Sequence, residues 1–255
     1  MKASHTGPVD WDAETYDRVS DPQLSWGLEV LERLDLEGTE SVLDAGCGSG
    51  RLTARLADRL PEGSLVAVDA SPSMVEKARE TLGQRAEVFA ADLSEMKLDQ
   101  PVDVVFSNAV FHWVQDHDRL FARLHAALRP GGRLVAQCGG SGNVASLAGA
   151  IQHVSNRHPF DEYFDGWARP WNFRGTGETT ASLRRAGFEE IRCWLNSKPV
   201  RPDEPSEYLR VSALGPHLAR LPAELHDRFV ADVVARMGEP LTIDYVRLNI
   251  EALRP

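Results

Sequence analysis

Apolar and polar positions change period several times along the chain, and those changes divide it. Residues 1–20 are mostly polar, with aromatic anchors at Trp11 and Tyr16. From Gln23 to Leu36 the residues Leu24, Leu28, Leu31 and Leu34 recur at helical intervals, which predicts an amphipathic helix. Short apolar runs then alternate with helical patterns. "SVLDAG" reads as a buried strand, "GRLTARLADRL" as a helix and "GSLVAVDA" as a second strand. "SPSMVEKARETL" is a helix with Ser71 at its cap and Pro72 in its first turn. "AEVFAADL" and "VDVVFSNAV" give strands three and four, "HDRLFARLHAAL" a helix stopped by "RPGG", and "RLVAQCG" strand five.

Apolar strands alternating with helices predict a mostly parallel sheet covered on both faces. That is an α/β, doubly wound fold, whose ligands sit at the carboxyl ends of the strands. The second half leaves the strict alternation. Residues 143–175 read as helix and loop, rich in aromatics (Phe160, Tyr163, Phe164, Trp167, Trp171, Phe173). "GETTASLRRAGF" is a helix ended by Gly187, followed by the strand "EEIRCWLN". Residues 203–238 read as two or three helices, and "LTIDYVRLNIEAL" as a closing strand, the seventh.

Composition narrows the function. With 38 acids against 28 bases the net charge is −10, which argues against a broad nucleic-acid surface, since phosphate contacts need clustered Lys and Arg. The pair Arg184–Arg185 sits on the face of an expected helix instead. The start "MKASHTGPVDWDAE" has no apolar core of a secretory leader, and no run approaches the roughly 18 apolar residues of a spanning helix. Cys47, Cys138 and Cys193 are widely separated, with neither metal-ligand nor disulfide spacing. The expectation is a soluble, cytoplasmic protein with no nucleic acid, no membrane and no metal.

Candidate chemistry starts at "VLDAGCGSGRL". A P-loop needs Lys and then Ser or Thr after its last glycine, but Gly50 is followed by Arg51 and Leu52. A dinucleotide fingerprint needs glycines at offsets zero, two and five; counted from Gly46, the third falls at offset four and Arg51 stands at five. The spacing present is Asp44-x-Gly46-x-Gly48-x-Gly50.

That spacing resembles the first motif of class I S-adenosylmethionine-dependent methyltransferases, which implies a Rossmann-like sheet and S-adenosyl-L-methionine as cofactor. A turn without side chains lets backbone approach the ligand closely, and an acid before it suits the ligand's cationic amino group. Three further strand ends match. The resemblance implies that Asp69 accepts from the ribose hydroxyls and that Asp92, with a backbone contact at Leu93, faces adenine. It sets Asn108 and Ala109 beneath the methionine portion, with Tyr16, Cys47, Ala70 and Met74 also at the cofactor. An NAD-dependent oxidoreductase and a non-catalytic cofactor-binding domain remain as other readings.

The segment "FHWVQDHDRLFARLHAALRPGGRLVAQ" narrows the resemblance to the branch holding trans-aconitate, juvenile-hormone-acid and malonyl-carrier-protein methyltransferases. It implies one domain over 1–255: an N-terminal lid and helices (1–36), a cofactor core (37–140), helical insertions over a small-molecule methyl acceptor (143–175 and 203–238), and the remaining core (176–200 and 240–255). In the juvenile-hormone-acid type a Gln and the Trp after His hold the substrate carboxylate, and Gln23 and Trp113 match them; Ser20 departs from the usual Asn. Both are neutral N–H donors, and a carboxylate acceptor needs no base. The expected product is a methyl ester. If the acceptor is a hydroxyl, amine or carbon, His112 is the candidate base. Arg157, Arg169 and Arg174 are candidate cations for a second carboxylate.

Overall fold

The computed structural model describes residues 21–255, with side chains from Leu24 onward. In chain order the elements are α1 (Asp21–Leu31), β1 (Ser41–Ala45), α2 (Arg51–Ala57), β2 (Ser64–Asp69), α3 (Pro72–Leu82), β3 (Glu87–Ala90) and β4 (Val102–Asn108). They continue with α4 (His117–Ala127), β5 (Leu128–Gly139), α5 (Ala145–Ser155), α6 (Asp161–Phe164), α7 (Thr176–Arg185) and β6 (Glu189–Ser197). The last are α8 (Pro205–Ser212), α9 (Gly215–Leu218), α10 (His226–Met237) and β7 (Val246–Leu253). The seven strands form one sheet in the order β3-β2-β1-β4-β5-β7-β6, parallel except for β7. The doubly wound, mostly parallel architecture expected from the alternation is the one found.

Its two faces follow from the period of two. Val42, Val104 and Val135 turn to one side, where Val30, Leu31, Leu34, Leu56 and Phe106 complete a buried layer. Leu43, Val105 and Leu134 turn to the other, against Phe111, Leu120, Phe121, Leu124 and Leu183. Each such side chain contributes about 1.5–3 kcal/mol by leaving water. A third core lies above the strand ends, where α5, α8, α9 and α10 bury Leu147, Ile151, Leu209, Leu214, Phe229 and Val233 with Phe160 and Trp26. These helices lie within residues 143–175 and 203–238, both read as helical from the sequence.

Strand order reverses between β1 and β4, and the chain's exits from both strands diverge there, which opens a crevice at their carboxyl ends. Several boundaries differ from the sequence reading, among them that of β7, which begins at Val246 rather than Leu241. Helix α1 ends at Leu31 rather than Leu36, and it buries Trp26 and Val30 while Leu28 stays 39% exposed. Strand β5 begins at Leu128, because "RPGG" is absorbed into the strand, with a register shift against β4, instead of separating it from α4.

Candidate functional site

The glycine loop leaves β1 between β2 and the exit of β4. The N–H groups of Gly46 and Cys47 both donate to the Val68 carbonyl of β2, at 2.7 and 3.0 Å. Gly46 has φ +91°, and a Cβ there would lie 2.1 Å from Val110 Cγ2, so neither backbone nor space admits a side chain. Gly48 has φ +54° and its Cβ direction meets nothing within 4 Å: the loop faces open space at this residue. An adenosyl amino acid needs such a bare backbone cradle, and the loop fits it.

Asp44 forms the floor. It is 2% exposed, and its Oδ2 accepts from Thr53 Oγ1 at 2.7 Å. Burial pushes its carboxyl up to about 7, the Thr53 hydrogen bond opposes the rise, and the charge of Asp69 adds to it. Asp69, at the end of β2, takes the Gly48 N–H on Oδ2 and the Ser71 N–H on Oδ1, both at 2.9 Å. Burial raises its pKa too, and those N–H groups hold it back. The same Ser71 caps α3, accepting from Met74 N–H, with Pro72 in the first turn as expected. Asp92 is exposed, and its Oδ1 accepts from Ser94 N–H and Ser94 Oγ, each at 2.7 Å.

Other expected cofactor residues contribute backbone or packing. Leu93 and Met74 point into buried layers, Ala70 is exposed, and Cys47 packs against Val75 and Ala78 with its thiol held protonated by burial. Tyr16 lies outside the described residues, as does the side chain of Gln23, whose backbone is in α1.

Across the crevice, Asn108 ends β4 and Ala109 follows at φ +63°, its N–H donating to Gln137 O at 2.7 Å. A non-glycine residue in the left-handed region costs about 1 kcal/mol or more and is held here by its neighbours. Helix α1 touches this corner, since a Cβ on Gly27 would come within 2.8 Å of Asn108 Nδ2. The turn Phe111–Trp113 then lifts His112 and Trp113 above the sheet. His112 is buried. Its Nδ1 accepts from Gly139 N–H at 3.3 Å, which places the ring proton on Nε2. Burial, with the charge of Arg247, holds its pKa well below the usual histidine range. Its ring stacks on Phe173 and tilts against Trp113, and Trp171 lies 6.3 Å from Trp113.

The structure therefore gathers Asp44, Gly46, Gly48, Asp69, Asn108, Ala109, His112 and Trp113 at the ends of β1, β2 and β4. Arg157 and Arg169 are exposed, the latter on Gln152 Oε1, and Arg174 donates to Ser182 Oγ at 2.9 Å. A groove of about 530 Å³ between α7 and β6, lined by Thr176, Thr180, Arg184 and Trp194, lies at the sheet edge and contains none of the site residues. Sequence reasoning passed over Thr53, Gly27 and the buried trio Gln137, Asn249 and Arg247. No local motif marks them; only the pairing of β5 with β7 brings the trio together.

This fold, with an acid and a bare glycine turn at the switch point, defines the Rossmann-like methyltransferase class. Residues 42–132 match a family described as a methyltransferase domain. A trans-aconitate 2-methyltransferase of Variovorax paradoxus is 38% identical over 253 residues, 94% of each chain. An uncharacterised methyltransferase of Schizosaccharomyces pombe is 34% identical over 193 residues, 70% of each chain. Among solved structures, a phosphoethanolamine N-methyltransferase of Haemonchus contortus superposes with a TM-score of 0.63 at 18% identity, over 95% of this chain and 57% of that one, which speaks for the fold. The chain belongs to the S-adenosylmethionine-dependent methyltransferases, in the family that includes the trans-aconitate 2-methyltransferases.

Proposed function

We propose that this enzyme methylates a carboxylate of a small-molecule acid, giving a methyl ester. The observation that carries the reading is the state of His112. A ring kept neutral by burial, with Nδ1 already accepting from Gly139, offers an N–H at Nε2 and no free base at Nδ1. Beside it stands Trp113, whose indole carries a neutral N–H, and the Gln23 amide is the third neutral donor of the reading. Such a set suits an acceptor that is ionised before it arrives. The relatives named for trans-aconitate, a carboxylic acid, support the same class.

When bound, S-adenosylmethionine would supply a methyl group on cationic sulfur for in-line attack by a carboxylate oxygen, with neutral S-adenosylhomocysteine leaving with the electron pair of the broken carbon–sulfur bond, so that no proton has to move. The protein's share is alignment and exclusion of water. In this reading Asp44 faces the cationic amino group, and the charge it meets there draws its raised pKa down again. Asp69, held by the backbone N–H groups of Gly48 and Ser71, faces the ribose hydroxyls. Asp92 and the backbone of Leu93 take the adenine edge. Asn108 and Ala109 lie under the methionine portion, and Tyr16, Cys47, Ala70 and Met74 complete the surround. The insertions 143–175 and 203–238 cover the acceptor, within one domain over 1–255. Free thiols at Cys47, Cys138 and Cys193 accord with a cytoplasmic setting.

The test is a panel of carboxylic acids, including trans-aconitate, beside phenols, alcohols and amines, with methyl-labelled cofactor. Label entering acids supports the reading; label entering only phenols, alcohols or amines overturns it.

A further inference from the structure

We propose that β6 is the docking edge for a second copy of this chain: two β6 strands pair antiparallel across a two-fold axis at Trp194, and Leu195 of each copy enters the groove of the other. The seven-stranded sheet has two edges. One, β3, is four residues long; the other, β6, runs nine residues from Glu189 to Ser197, with no proline or lysine within it. A long strand with unpaired backbone is the kind of edge that folds blunt with such residues when nothing is to pair there. The bulge between Glu189 and Arg192, with Glu190 at φ +47°, distorts only the start of the strand.

Backbone alternation fixes which groups are open. Lys198 N–H donates to Tyr245 O, and Val200 and Ile243 exchange both bonds, in the same register that pairs Trp194 with Asn249 and Arg192 with Glu251. The even-numbered residues therefore bond β7, and the N–H and C=O groups of Cys193, Leu195 and Ser197 point to the open edge. The side chains there are largely apolar. Leu195 is 40% exposed, one of two large hydrophobics exposed among the described residues. Four successive residues, from Ile191 to Trp194, line the groove beside α7, so it runs along the edge of the strand rather than over one face.

The occupant is a second copy because β6 complements itself. About an axis at Trp194, Cys193 meets Leu195 of the other copy, and their open backbone groups bond. Leu195 shares the face of Cys193, so its side chain enters the other copy's groove beside Thr176 and Thr180 of α7. Glu190 comes level with Lys198, and Arg192 with Asn196, so opposite charges face each other and like charges do not. An axis at Arg192 or Leu195 would set arginine against arginine or lysine, and one at Cys193 loses the Glu190–Lys198 pairing. On the opposite face the two Trp194 rings, each with Arg33 at 5.0 Å, come together at the axis. The contact is isologous, so it closes at two chains.

Edge pairing this short lies at the small end of specific interfaces, so a dimer Kd of about 10–100 µM is expected, read by sedimentation equilibrium of the full chain up to about 1 mM. Leu195→Lys is expected to raise that Kd about 30-fold or more, while thermal unfolding and S-adenosylhomocysteine affinity keep their wild-type values. Ser197→Pro removes an outward N–H and none that bonds β7; it weakens the dimer in the same direction and serves if Leu195→Lys fails to fold. Oxidation reads the register. In a Cys193→Ser background Trp194→Cys is expected to give a disulfide-linked dimer, since Cβ atoms facing across the axis stand about 4.5–5.5 Å apart, and Ser197→Cys is not. A chain that stays monomeric over that range overturns the proposal, whatever else then occupies the edge. So does a dimer whose Kd is unchanged in Leu195→Lys and Ser197→Pro, one broken instead by Leu28→Lys, or a disulfide that forms at Ser197→Cys and not at Trp194→Cys.

Discussion

Gly46 and Gly48 both have positive φ, yet they serve different ends. Gly46 is pinned by Val110, so Gly46→Ala must move β4's exit or the loop; a loss of about 2–4 kcal/mol in stability is expected from chemical denaturation. Gly48→Ala meets no atom and is expected to cost only about 1–2 kcal/mol of backbone strain, while S-adenosylhomocysteine affinity drops at least about tenfold. The reverse ranking would remove Gly48 from the cofactor surface. Asp44 carries a trade between stability and binding. Its folded-state pKa, about 7, lies above the unfolded value, so its contribution is full below about pH 4 and is lost as pH rises through 7. Asp44→Asn keeps an acceptor for Thr53 without that penalty. It is expected to stabilise the ligand-free protein by about 1–3 kcal/mol at pH 8, with no gain at pH 4. Cofactor affinity moves the other way: it rises with pH toward 7 in the wild type and is low at every pH in the variant. A variant less stable at pH 8, or one that binds normally, contradicts the role given to Asp44.

Among the elements, the cap carries its own titration. His217 on α9 is 3% exposed and ringed by Phe164, Trp167, Trp171 and Phe229, and its Nδ1 is buried without a hydrogen-bond partner. Burial pulls its pKa down to about 3. Because the folded value lies below the unfolded one, stability is full above about pH 6.5 and is lost as pH falls from there toward 3. His217→Leu is expected to recover about 2 kcal/mol of the stability the wild type loses between pH 8 and pH 5, read from unfolding at each pH. Parallel pH curves for the two proteins would contradict this placement. The elements themselves were legible to different depths. From Ser41 to Gly139 every strand and α-helix was readable in outline, because buried parallel strands are apolar throughout and Ser71 and Pro72 mark a helix start. Helix α1 was legible only in outline. Its leucine stripe pointed to Leu28, whereas packing chose Trp26 and Val30, since the helix meets the cap as well as the sheet.

At the scale of the whole molecule, chain order and spatial order part company, and that sets what a sequence reading can reach. The strand-end positions of Asp44, Asp69 and Asn108 were legible because each sits in a local motif. Arg247 was not: in "LTIDYVRLNIEAL" it looks like one polar residue of an edge strand, and only the insertion of β7 between β5 and β6 buries it beside Gly139. The neutral donor state of His112 was likewise invisible, since it depends on an N–H 27 residues away in the chain. The net charge of −10 has a kinetic consequence. Anionic acceptors approach against a repulsive field, so kcat/KM for a carboxylate acceptor is expected to rise about twofold or more between 0.02 and 0.2 M salt. A fall would mean that the local field at the pocket mouth is already positive. The central claim, that the methyl group ends on a carboxylate oxygen, is tested most directly by the lability of the labelled product. Mild alkali is expected to release the label as volatile methanol, the signature of a methyl ester; label that survives alkali in an ether, amine or carbon product would contradict the claim.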